Sequence, residues 1–235
     1  GKSNVAFEPV LDVNAQAPFI NELAKHSGNF DEHISKSIPT FKETQVRKGD
    51  AIVQTFPEGA SVLDIGSSEG STMKTISALS QGKIETVSLD PNPDMAAFFR
   101  TKSEVPGATH VEAAFLNGFE DNGKMVEAYK PDQQFDVINE SMAFQFISPD
   151  RPAQLAEAKR MLKPDGVLLT EQKVKLADRA QFKANEDLKD TQYKNRYFSK
   201  AELQEKDAKV GFQQSKQETQ AVGMLDNVVE QGALE

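Results

Sequence analysis

One stretch constrains this chain more than any other: Val62-Leu63-Asp64-Ile65-Gly66-Ser67-Ser68-Glu69-Gly70-Ser71. A short, nearly unbroken apolar run that ends in glycine is the pattern of a buried parallel strand. Helical patterning follows at once, from Ser71 to Leu79. A glycine-lined turn between such a strand and helix lies at the carboxyl edge of a sheet. There, free backbone N–H groups and the helix N-terminus receive ligands.

The alternation continues. Ile84 to Asp90 reads as a second strand and Asp94 to Lys102 as a second helix. Thr109 to Phe115 is a weaker third strand, and Phe135 to Glu140 a fourth. Pro152 to Lys163 reads as a helix with Pro164-Asp165-Gly166 as its stop, before a fifth strand from Val167 to Glu171. Strand and helix in this order predict an α/β fold, a doubly wound, mostly parallel, Rossmann-like sheet. Residues 1–58 predict a helical cap, with Phe19, Ile20 and Leu23 at helical spacing, a break at Pro39 and a helix over 42–55. The partition is a cap over 1–58, a core over 59–172 and a helical segment over 173–235, within one structural domain.

Composition removes whole classes of chemistry. With no cysteine among 235 residues there is no disulfide, no Cys-ligated zinc and no thiol nucleophile. No run is long enough for a membrane helix and no signal peptide opens the chain, so a cytoplasmic location is the expectation. The formal net charge of -9 disfavours general binding to nucleic-acid backbone. Residues 171–235 carry 11 Lys and Arg against 12 Asp and Glu, so the excess acid lies in the cap and core.

The turn also narrows the ligand. A dinucleotide fingerprint needs Gly-x-Gly-x-x-Gly, whereas here the spacing is Gly66-x-x-x-Gly70 with Ser68 in the middle. Asp64, two residues before Gly66, would repel a phosphate but could hold an ammonium. Asp90 closes the next strand, where a carboxylate can accept two ribose hydroxyls. A nicotinamide or flavin cofactor remains an alternative, as does a purely structural role for the glycines.

Asp64-x-Gly66-x-Ser68-x-Gly70 followed by strand-terminal Asp90 resembles the S-adenosylmethionine (SAM) site of class I methyltransferases. The likeness extends further. Phe30-Asp31, Lys36-Ser37-Ile38-Pro39-Thr40-Phe41, Asn139 to Ile147 and Leu162 to Lys173 are similar to the carboxy-SAM synthase family, which serves tRNA wobble-uridine modification. The resemblance implies that Gly66, Ser67 and Ser68 line the methionine end of SAM, with Asp64, Gly70 and Pro91 completing the site. It implies that Asp90 holds the ribose, that Asn139 and Phe41 contact the cofactor, and that Phe115 packs on the adenine. S-adenosylhomocysteine (SAH) would be the product.

Three departures stand out. An acid expected after the third strand falls on Ala114. The arginine that pairs with the extra carboxylate of carboxy-SAM falls near Asp207, an acid that would repel it. The closing helix and two strands of that family have no counterpart before Glu235, which, with Gly1 at the start, reads as a piece of a longer protein. The fifth strand is then an edge, for the 173–235 helices, a second copy or the rest of a longer chain to cover.

No residue declares itself the catalyst. His26, His33 and His110 fit no zinc spacing, and only His33, in the stretch expected to cover the cofactor, is a candidate base. Glu140 lies where a substrate partner could sit, although solvation at a loop is the simpler reading. Tyr193, Tyr197 and Phe198 among basic residues read as an amphipathic, lid-like helix. The leading reading is a SAM-dependent methyltransferase for a small or medium substrate. A carboxy-SAM synthase relative and a non-catalytic SAM-binding module are the alternatives.

Overall fold

A computed structural model describes residues 13–115, 132–144, 147, 151–172 and 177–206. Its centre is a five-stranded sheet of β1 (Ala60–Ile65), β2 (Ile84–Asp90), β3 (Ala108–Glu112), β4 (Phe135–Ser141) and β5 (Leu162–Glu171). The spatial order is β3-β2-β1-β4-β5 and every pairing is parallel. This is a doubly wound, Rossmann-like α/β fold. The winding reverses between β1 and β4, so the crevice beyond their carboxyl ends is the topological switch point at which such sheets bind ligands.

Helices α1 (Val13–His26), α2 (Asn29–Ser37) and α3 (Phe41–Thr55) precede the sheet. The residues Ile38 to Thr40 separate α2 from α3, as the fixed φ of Pro39 and the restriction of Ile38 require. Crossover helices α4 (Ser71–Leu79) and α5 (Pro93–Thr101) follow β1 and β2. Asn92 caps α5 by accepting the Asp94 N–H at 2.9 Å, with Pro93 in the first turn. Helix α6 (Arg151–Met161) leads into β5, and α7 (Arg179–Gln192), a 3-10 turn (Lys194–Arg196) and α8 (Lys200–Lys206) end the described chain.

Alternation along the strands divides the apolar residues between two cores. Leu63, Ile65, Leu89, Ile138, Phe144 and Met161 fill one face of the sheet. Val62, Met73, Ile76, Ile84 and Val137 pack on the other with Phe19, Leu23, Val46 and Ile52 of the cap. Gly49 admits that contact, because a Cβ there would overlap the Phe19 ring.

Two boundaries differ from the sequence reading. The helix expected to run to Lys163 ends at Met161, and Pro164-Asp165-Gly166 belongs to β5 rather than to a stop. Proline pushes the preceding Lys163 towards extended backbone, and the strand absorbs the extra residues as a register shift opposite Phe135 and Val137. Gly166 sits in a tight spot there, where a Cβ would lie 3.1 Å from the Phe135 carbonyl oxygen. The third strand is shorter than expected, ending at Glu112, which frees Phe115 to turn inward.

Among the described residues β5 pairs with β4 alone, and Val167 is exposed. The expected lid-like segment contacts α2. Tyr193 donates its hydroxyl to the Ser35 carbonyl, and the Phe198 ring meets His33 edge-on at 5.2 Å. No helix among the described residues is long and apolar enough to cross a membrane.

Candidate functional site

The turn after β1 is pinned to β2. Gly66 and Ser67 both donate their N–H groups to the Leu89 carbonyl, at 2.8 and 3.1 Å. Gly66 (φ 65°) and Gly70 (φ 72°) occupy left-handed conformations natural to glycine. A Cβ on Gly66 would lie 2.5 Å from the Ala143 Cβ, and one on Gly70 would lie 2.7 Å from the Phe99 ring. Ser68, with φ 54°, donates its N–H to Asp90 Oδ2 at 2.9 Å. Asn92 N–H binds the other oxygen, Oδ1, at the same distance. Burial raises the Asp90 carboxyl while these two donors pull it back down.

A polar chain runs along the carboxyl edge of β1, β4 and β5. Asn139 Nδ2 donates to Asp64 Oδ1 at 2.8 Å and to Ser141 Oγ at 3.3 Å. Lys48, reaching in from α3, donates to Ser141 Oγ at 2.8 Å and pairs with Glu171 at 3.7 Å. Burial pushes the Asp64 carboxyl up to about 7, against the pull of Asn139 and Lys48. It also lowers the Lys48 ammonium, with Glu171 opposing. Ser67 Oγ, Ser88 Oγ and Asn139 Oδ1 are buried without a hydrogen-bond partner. Such orphaned groups are costly unless a ligand or water meets them.

Asp64, Gly66, Ser67, Ser68, Gly70, Asp90 and Asn139 thus converge at one end of the sheet. Others from the sequence reading do not. Glu140 is neither a solvated loop residue nor open to a substrate: it lies on β4 with no exposed surface. Its Oε1 accepts the Ala143 and Phe144 N–H groups at 2.6 and 2.8 Å, and its Oε2 accepts Thr170 Oγ1 at 2.7 Å and the Gln172 amide. Four donors fill the carboxylate, so its role is to hold β4, β5 and the following turn together. The Phe115 ring is 2% exposed and stacks on Phe144 at 6.1 Å, a core position rather than an open adenine platform. His33 is exposed on α2, packed against Phe198. Phe41 starts α3 half-buried, and Pro91 is exposed beside Asp90. Asp207 lies outside the described residues, as do Gln145 and Phe146.

Four residues at this edge were missed. Glu69 is buried, and its Oε1 accepts the N–H groups of Gly28 and Asp31 at 2.8 and 2.9 Å. Asp31 sits beside it, and Lys48 completes the polar chain. His110 lies with Nε2 3.3 Å from the Ser68 carbonyl and feels the Asp90 carboxylate, while burial lowers its pKa. Glu69 was in plain view between the glycines. The other three carry no spacing signal, because only packing brings α2, α3 and β3 to the turn.

One family model matches part of the chain, and several solved structures resemble it. Residues 63–170, a little under half of the chain, match a family model described as a methyltransferase domain. The match runs from within β1 to near the end of β5 and does not single out the carboxy-SAM synthases. No curated protein matches the chain. Among solved structures it is similar to the YcgJ protein of Bacillus subtilis, with 21% identity, TM-score 0.44 and 57% of this chain and 53% of that one covered. It is also similar to a SAM-dependent methyltransferase of Aquifex aeolicus, with 16% identity, TM-score 0.44 and coverage of 70% and 88%. A third likeness is to a SAM-dependent methyltransferase of Mesorhizobium loti, with 19% identity, TM-score 0.42 and coverage of 53% and 52%. The chain spans about half the length of two of these three structures.

Proposed function

We propose that this chain is a SAM-dependent methyltransferase for a small or medium acceptor, built as a cap (1–58), a SAM-binding core (59–172) and a helical segment (173–235). One observation carries the reading: the glycine turn donates Ser68 N–H to a strand-terminal carboxylate, Asp90, on a sheet edge lined with acids. The residues fit the cofactor. Asp64 and Asn139 offer oxygen acceptors for an ammonium, the orphaned Ser67 hydroxyl can take a carboxylate, and Asp90 retains lone pairs for two ribose hydroxyls. An acidic wall also suits a cationic sulfonium and opposes a pyrophosphate.

SAM supplies an electrophilic methyl group with a neutral thioether as leaving group. The protein's own work is then to bind, orient and exclude water, which can supply most of the acceleration for a transfer that needs alignment. The carboxylate of Asp90 and the turn fix one end, Asp64 and Asn139 the other. The Lys48–Ser141–Glu171 group borders the space where an acceptor would enter, and it can accept or donate a proton there.

Calorimetry with SAM, SAH and NAD tests the reading. Binding of SAM and SAH without NAD is expected, and failure of both SAM species to bind overturns it. The carboxy-SAM synthase reading keeps one point in its favour, the Ser37-Ile38-Pro39-Thr40-Phe41 motif at the α2–α3 junction. Incubation with SAM and prephenate decides it, because Asp207 would repel the new carboxylate and a carboxy-SAM product would require a cation elsewhere in the site to meet it.

A further inference from the structure

Helix α2 is tied to the cofactor turn by a residue of the turn itself. Gly28, the N-cap of α2, has no side chain with which to satisfy the free N–H groups of the first turn. Glu69 performs that task from outside the helix: Oε1 takes the N–H groups of Gly28 and Asp31. Glu69 can come so close because residue 28 is glycine; a Cβ there would overlap Glu69 Oε2. A second tie lies beside this one, where Ser71 Oγ donates to the His26 carbonyl at 2.9 Å. On the other side of α2, Tyr193 donates to the Ser35 carbonyl, Phe198 packs on His33, and the Lys36 ammonium sits 6.0 Å from the Tyr197 ring centre.

We propose that Glu69 is a positioning residue that latches cap helix α2 onto the cofactor turn, with residues 193–198 as a clasp on the other flank of α2. The functional consequence rests on the SAM reading. A loosened α2 uncovers the turn that holds the cofactor, so cofactor affinity follows the latch. The charged groups facing Asp31 are Glu69 from the turn and Asp64 from β1, both acids, with the Ser71 hydroxyl from α4 alongside. Burial pushes Asp31 up to about 7, Ser71 opposes this and the two acids reinforce it.

Hydrogen exchange on the ligand-free full chain tests the latch directly. Glu69→Ala should speed exchange of the α2 amides and of 193–198 by roughly five- to tenfold, as loss of a cap worth about 1 kcal/mol implies. Glu69→Gln keeps an acceptor for both N–H groups and should retain α2 protection, while Gly28→Ala, which displaces Glu69 without removing its charge, should behave like Glu69→Ala. Unchanged α2 exchange in Glu69→Ala, or equal damage from Gln and Ala, overturns the latch. Loosening of α2 with 193–198 unaffected overturns the clasp. If Glu69→Ala fails to fold, Gly28→Ala and Tyr193→Phe carry the same test. Titration of the wild type and Glu69→Gln with SAH separates the two claims: no SAH binding by the wild type removes the methyltransferase reading and leaves the exchange result standing.

Discussion

Ser68 N–H and Asp90 Oδ2 lie 2.9 Å apart, and this contact joins the turn after β1 to the end of β2. Asn92 N–H occupies the other oxygen, so the carboxylate is held in one orientation before any ligand arrives. Preorganisation of this kind removes an entropic cost from binding.

Asp90→Ala should therefore weaken SAH binding severely. Two charge-assisted hydrogen bonds to a ribose are worth about 3 kcal/mol or more together, which is roughly a hundredfold in Kd. The turn also loses its anchor at Ser68. Isothermal titration with SAH reads the change, and an unchanged Kd would remove Asp90 from the site.

Gly66→Ala should damage the turn through both conformation and space. A left-handed residue with a Cβ costs about 1–2 kcal/mol, and the overlap with Ala143 adds about 1–3 kcal/mol. Ala143→Gly removes the atom that is struck. The double variant should regain the steric share alone, seen as partial recovery of Tm and SAH affinity.

Glu140→Ala should act on stability. It strands two buried backbone N–H groups, Thr170 and Gln172, each lost partner costing about 1–3 kcal/mol. A drop in Tm of about 10 °C is expected, on a scale of roughly 2–4 °C per kcal/mol for a chain of this size. Glu140→Gln should fall less. If Glu140→Ala melts like the wild type, the carboxylate is not holding the edge of the sheet together.

Stability of the ligand-free protein should fall as pH rises towards 7. Asp64 and Asp31 both have folded carboxyls raised to about 7, above their values in the unfolded chain. Raised carboxyls contribute stability that is complete below about pH 4 and is lost as pH climbs through the folded value. Asp64→Asn should shrink this dependence and leave the Asp31 share. SAM, as a cation, should bind with proton release near pH 7, measurable in buffers of different ionisation enthalpy. SAH should release less.

Much of this was legible in the order of the residues. The strand Val62 to Ile65, the helix Ser71 to Leu79 and the break at Pro39 follow from local propensity and periodicity, which tertiary contacts did not override. Asp64, Gly66 and Asp90 meet at one end of the sheet as the turn's spacing predicts, because that spacing is itself the signal. Glu140 was misread because burial and four donors from two strands are invisible along the chain. Pro164-Asp165-Gly166 looked like a stop because a bulged edge strand uses the same residues as a turn.

What the sequence by itself determined is the parallel α/β core and the acidic glycine turn at its carboxyl edge. Both depend on residues close together in the chain, whose patterning specifies backbone shape directly. The tertiary structure alone decided what surrounds that turn. Glu69 caps a helix some forty positions earlier in the chain, Lys48 crosses from the cap to Ser141, and Tyr193 closes on Ser35. These are contacts between distant segments, and only packing of the two cores brings their side chains within hydrogen-bond reach.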